Sequence, residues 1–105
     1  MSSAPAAVAA QRRTSQPRLV FFYSELSGAS RRAEGFLAQV LQRRRNHGTF
    51  RLYRVSREER PDLFERFEVE VEPTLLVVDG KSVQARLERP RGCREIEALL
   101  APWLR

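Results

Sequence analysis

The chain has 105 residues, 42% of them hydrophobic and 30% charged, which favours a single domain with a buried core. No apolar run approaches the roughly 20 residues of a membrane span, so a soluble, cytoplasmic protein with no membrane partner is expected. The net charge of +6 comes from 19 basic against 13 acidic residues; Lys81 is the only lysine. The arginines are dispersed, so a coding bias toward arginine accounts for them better than a nucleic-acid footprint does. With one cysteine and one histidine, neither an internal disulfide nor a CxxC or cysteine-rich zinc site can be assembled, and no metal or cofactor is expected. His47, beside Gly48, reads as helix punctuation and not as a catalytic base.

"MSSAPAAVAAQRRTSQP" has its arginines after its apolar patch, the reverse of a secretory signal. It has little to bury and is expected to be a disordered tail over residues 1–17, followed by one domain over 18–105. Leu19–Tyr23 is a short apolar run of the kind that forms a strand covered on both faces. Ala33, Phe36, Leu37, Val40 and Leu41 then repeat with a helical period. Ser27 or Ser30 is placed to cap that helix, and Asn46-His47-Gly48 to end it. Phe50–Val55 reads as a second strand with Phe50, Leu52 and Val55 turned inward. Ser56-x-x-Glu59 has the form of a capping box, with Pro61 in the first turn of a short helix that buries Leu63, Phe64 and Phe67. Thr74–Val78 is a third strand. Asp79-Gly80 signals a hairpin into a fourth, where Val83, Ala85 and Leu87 alternate with polar residues. Ile96, Leu99, Leu100 and Trp103 form the stripe of a last helix that Pro102 stops. The order β-α-β-α-β-β-α implies an α/β fold: a parallel pair joined through a helix, an added antiparallel strand, and a mixed four-stranded sheet with helices on both faces.

This order, with "FFYSELSGAS" after the first strand and "VEPTLLVVDGKSV" later, resembles the thioredoxin family from Leu19 to Leu104. That family carries WCGPC where this chain has Leu26-Ser27-Gly28-Ala29-Ser30. It carries an Ile-Pro-Thr with a cis proline where this chain has Glu72-Pro73-Thr74. "DGKSV" is similar to the family's "NGE" turn. The departures fall on the chemistry. Both cysteines are replaced, by Ser27 and Ser30. The buried acid of the first core strand becomes Phe21, the tryptophan becomes Leu26 and the motif's proline becomes Ala29. A glycine before the last helix aligns with Arg89.

Thiol–disulfide exchange needs one thiolate to attack and a second thiol to resolve the mixed disulfide. A helix N-terminus lowers a cysteine pKa by several units, which leaves a serine alcohol far from ionisation, and no base is in view to activate it. Dithiol chemistry at Ser27 and Ser30 is therefore excluded, and enzymatic activity is not expected. What the resemblance leaves is a platform: helix N–H groups, and the backbone before Pro73, along which the family's substrates lie. The expectation is a redox-inactive module of assembly or chaperone type that binds a protein or peptide partner through Leu26, Ser27, Gly28, Ala29, Ser30, Glu72, Pro73 and Thr74. Set against it is a purely structural role, in which the serines cap a helix and Pro73 shapes a turn. The alternative function is a thiol-dependent redox protein or sensor using Cys93, which lies at the first turn of the last helix near Arg91 and Arg94. A serine that holds a thiolate, as in glutathione transferases, would have Glu72 beside an anion and would need a helical second domain.

Overall fold

The computed structural model describes residues 16–43 and 48–104; the tail expected at residues 1–17 lies outside them apart from its last two residues, as do Asn46 and His47. The elements run β1 (Arg18–Tyr23), α1 (Gly28–Gln42), β2 (Arg51–Ser56), α2 (Pro61–Arg66), β3 (Thr74–Asp79), β4 (Ser82–Glu88) and α3 (Cys93–Leu100), closing with a 3-10 turn at Ala101–Trp103. The sheet order is β2-β1-β3-β4. β1 is parallel to β2 and antiparallel to β3, and β3 is antiparallel to β4.

The two central strands are the two continuous apolar runs, because only they are covered on both faces. Alternation divides their side chains. Leu19, Phe21, Leu75 and Val77 face Ala33, Leu37 and Val40 of α1 and Ile96 and Leu100 of α3. Val20, Phe22, Leu76 and Val78 face the opposite way, with Val55, Phe64 and Val69. There Phe64 meets Phe22 edge to face at 5.0 Å between centroids, a preferred aromatic geometry.

Four local expectations are corrected. Val83 does not continue the inward alternation of Ala85 and Leu87. A bulge pairs Val77 with Ala85 but Val78 with Val83, so the extra residue, Gln84, turns Val83 onto the other face, where it is 42% exposed. Leu52 sits on edge strand β2 and is exposed rather than turned inward. α1 ends at Gln42, with Arg43 extended as its C-cap, because the apolar stripe has nothing to bury after Leu41. Gly48 does have positive φ, but beyond the helix. Ser56 is the last residue of β2 and not a helix cap; Arg60 takes the N-cap position, with Pro61 opening α2.

α2 finishes in a Schellman arrangement. The Val69 N–H donates to the Phe64 carbonyl at 2.7 Å and the Glu68 N–H to Glu65 at 3.1 Å. Glu68 takes the left-handed position usually held by glycine, at φ 56°. The Arg86 guanidinium reaches from β4 to donate to the Phe67 and Glu68 carbonyls, a cation at the negative end of the helix. Among the described residues no helix is long and apolar enough to cross a membrane.

Register fixes what meets at the site. Phe22 pairs with Thr74, Thr74 with Glu88 and Tyr23 with Ser56. The end of β1, the start of α1, the loop before β3 and the loop after β4 therefore share one end of the sheet.

Candidate functional site

Ser27 is the N-cap of α1: its backbone is extended, and its Oγ accepts the Ser30 N–H at 3.1 Å. Ser30 is not on the surface. It is 2% exposed, and its Oγ accepts the Ser24 N–H at 3.1 Å, which pins the turn leading into the helix. Thr74 is likewise fully buried, with Oγ1 donating to the Val71 carbonyl at 2.8 Å. Of the residues assigned to a binding face, Ser30 and Thr74 are thus supports beneath it and not contacts on it. Leu26 is 87% exposed. The N–H groups of Gly28 and Ala29 have no hydrogen-bond partner among the described residues, as the first turn of a helix leaves them.

The Glu72–Pro73 bond is cis. The Pro73 carbonyl accepts the Arg89 N–H at 2.7 Å, tying the β4–α3 loop to this segment. Arg89 takes positive φ, 49°, at the position where the resemblance placed a glycine. The Glu72 carboxylate pairs with Arg57. The same guanidinium donates to the Glu70 carbonyl at 3.2 Å and lies 4.3 Å from the Phe64 ring centroid, a cation–π contact. In contrast, the Glu72 main-chain N–H and C=O have no partner among the described residues. Between this segment and α1 runs an open groove of about 530 Å³, with Ala29, Phe36, Pro73 and Pro90 among its lining residues.

Cys93 does not line that groove. Its half-buried thiol faces α1, within 3.2 Å of Gln39 Oε1 and 3.6 Å of the Phe36 carbonyl. Both are acceptors for an S–H; neither donates to a sulfur anion.

A polar cluster that the sequence reading missed braces the site. Glu58 Oε2 accepts from Ser24 Oγ at 2.6 Å, and its Oε1 accepts from the Glu25 N–H at 3.0 Å and Ser56 Oγ at 3.1 Å. Ser24 Oγ in turn accepts the Leu26 N–H at 3.2 Å. These bonds, the Ser24 hydroxyl first and the Glu25 N–H next, hold the Glu58 carboxyl down to about 2, too weak a base to activate Ser24. The cluster is a clamp between the β1–α1 and β2–α2 turns. The only signal for it in the sequence is "SREE", which reads as a local cap; the partners come from the β1–α1 turn, more than 30 residues away. Because the folded pKa lies below the ordinary value of 4.5, the clamp's contribution is complete above about pH 4.5 and is lost as pH falls toward 2. Glu58→Ala is expected to lower the melting temperature at neutral pH. Its deficit against the parent should shrink between pH 5 and pH 2; melts across that range check it, and a deficit independent of pH contradicts it.

Among the described residues no group of side chains is placed to hold a metal ion. The arrangement instead offers hydrogen-bond donors and acceptors to an extended chain.

The sequence matches no protein-family model and no curated protein. Solved structures do match. Trxlp from Edwardsiella tarda is 18% identical with a TM-score of 0.74, over 90% of this chain and 91% of that one. Thioredoxin-2, described as a component of malaria parasite protein secretion machinery, is 17% identical with a TM-score of 0.73, over 83% and 82%. Desulfothioredoxin from Desulfovibrio vulgaris Hildenborough, in its reduced form, is 25% identical with a TM-score of 0.72, over 89% and 86%. The mixed four-stranded sheet, its flanking helices and these neighbours together give the chain a thioredoxin-like fold.

Proposed function

We propose that this is a redox-inactive thioredoxin-like module of assembly or chaperone type, which docks an extended protein segment against Glu72 and the start of α1. The observation that carries this reading is the unpaired Glu72 N–H and C=O beside an open groove. Unpaired backbone at a sheet-like edge is the element that strand addition uses for affinity, with neighbouring pockets supplying selectivity. The Gly28 and Ala29 N–H groups and the positive end of the α1 dipole add donors on the opposite wall. Ser27 and Ser30, with their hydroxyls engaged as cap and brace, leave the site without a nucleophile.

The test compares native co-purification of the tagged chain, nuclease-treated and without reductant, with that of Ala29→Trp. Ala29 is a groove residue whose side chain makes no hydrogen bond, so the substitution fills the groove and leaves the Ser27 cap in place. Loss of a stoichiometric protein partner, with the melting temperature retained, is the expected result. A partner that Ala29→Trp still captures, or none captured by the parent chain, overturns the docking site.

A further inference from the structure

We infer that the groove beside Pro73 selects an acidic peptide, in which carboxylates flank an apolar side chain; this rests on the docking reading above. Its floor is apolar, from Ala29, Phe36, Pro73 and Pro90, and its rim carries Arg32, Arg89 and Arg91. All three arginines are exposed, and among the described residues none of their guanidinium groups makes an ion pair or hydrogen bond. They differ in this from Arg43, Arg54, Arg57 and Arg60, each of which is paired with a carboxylate. The rim sets two acids of its own against these three arginines. Glu95 is held by the Arg91 N–H at 2.6 Å, which leaves Glu88 as the lining carboxylate without a partner among the described residues.

Unpaired guanidinium groups arranged around an apolar floor suit carboxylates on either side of a buried side chain, since arginine engages carboxylate through two parallel bonds. The Arg89 N–H bond to Pro73 fixes the arginine loop to the segment that presents free backbone. Charge selection and main-chain pairing would therefore act on the same stretch of ligand. Single-stranded nucleic acid fits less well. The groove has one aromatic residue among its lining, the half-buried Phe36, where base binding uses exposed stacking platforms.

The probes are a fluorescein-labelled peptide with a central leucine between pairs of glutamates, its glutamine counterpart, and labelled oligo-dT, read by fluorescence anisotropy on the full chain. At low salt the glutamate peptide is expected to bind about tenfold more tightly than the glutamine peptide, and the gap should close toward 1 M salt as screening shortens to about 3 Å. Arg32→Glu with Arg91→Glu should erase the gap, whose size is that of a few exposed ion pairs, and leave glutamine-peptide affinity within about twofold. Should that pair unfold by circular dichroism, Arg91→Gln alone is expected to narrow the gap. Equal binding of the two peptides overturns charge selection while leaving docking intact. Tighter, arginine-dependent binding of oligo-dT assigns the rim to phosphate and overturns the inference. Failure of both peptides also overturns it, and the Ala29→Trp co-purification then decides separately whether docking fails with it.

Discussion

Phe21→Asp, which writes a carboxylate where the resembled family keeps its buried acid, is expected to unfold the domain at neutral pH and physiological temperature. Phe21 is 1% exposed, lies between β2 and β3 with Leu75 as its cross-strand neighbour, stacks on Tyr23 at 5.5 Å and packs beneath α1 and α3. Removing a buried phenylalanine side chain costs about 3–5 kcal/mol in transfer and cavity terms. The new carboxylate adds a desolvation cost, since the packed cluster around it is apolar. Against a typical total of about 5–15 kcal/mol, little stability remains. The sign with pH is opposite to that at Glu58. Burial raises an acid's folded pKa, so the variant should be least unstable below the unfolded pKa and lose stability as pH rises through the folded one. Denaturant titrations followed by circular dichroism at pH 4.5 and 7 check both points, with Phe21→Leu, expected to cost less than about 1.5 kcal/mol, as the control. A Phe21→Asp chain as stable as its parent would mean that a polar group reaches this position.

That expectation explains why the fold was easier to read than the site. β1 and β3 announce themselves as unbroken apolar runs because they are buried on two faces, and α1 and α3 show their stripes because one side of each meets solvent. Hydrophobic period carries that information along the chain. It carries none about Gln84, whose bulge depends on how β4 registers against β3, and so alternation alone puts Val83 on the wrong face. Leu52 departs from the pattern because a strand's alternation does not say that the strand will lie on an edge. Ser56 and Glu59 have the spacing of a helix cap, and the Ser56 hydroxyl does accept the Glu59 N–H at 3.4 Å, but the helix starts only at Pro61, and the same hydroxyl donates to Glu58 and Glu25. At the site, the Ser27 cap is a local interaction and was legible. The burial of Ser30 and Thr74, the Glu58 clamp and the free Glu72 backbone all arise where four elements converge at one end of the sheet.

Restoring both sulfurs, as Ser27→Cys with Ser30→Cys, is expected to give a disulfide that forms readily but does little chemistry. The two positions share the first turn of α1, with the Ser30 N–H only 3.1 Å from Ser27 Oγ. In the reduced state the substitution loses a serine cap, about 1 kcal/mol, and the Ser30 bond to the Ser24 N–H, about 1 kcal/mol more. Closing a four-residue loop constrains the unfolded chain by about 2 kcal/mol in the loop-entropy account, so the oxidised form should melt close to the parent and the reduced form below it. Because the parent has one cysteine, denatured thiol titration reads the result directly: three free thiols when reduced, Cys93 alone when oxidised. Turnover in a disulfide-reduction assay should nevertheless stay low. The second sulfur would be buried at the Ser30 position, and the core side chain Phe21, where the resembled family keeps an acid, has no proton to give or take. If the pair does not oxidise under mild conditions, positions 27 and 30 lack the geometry found here. If it oxidises and turns over efficiently, the missing sulfur was all that separated this chain from catalysis, and Phe21 in place of the resembled family's buried acid is no barrier to it.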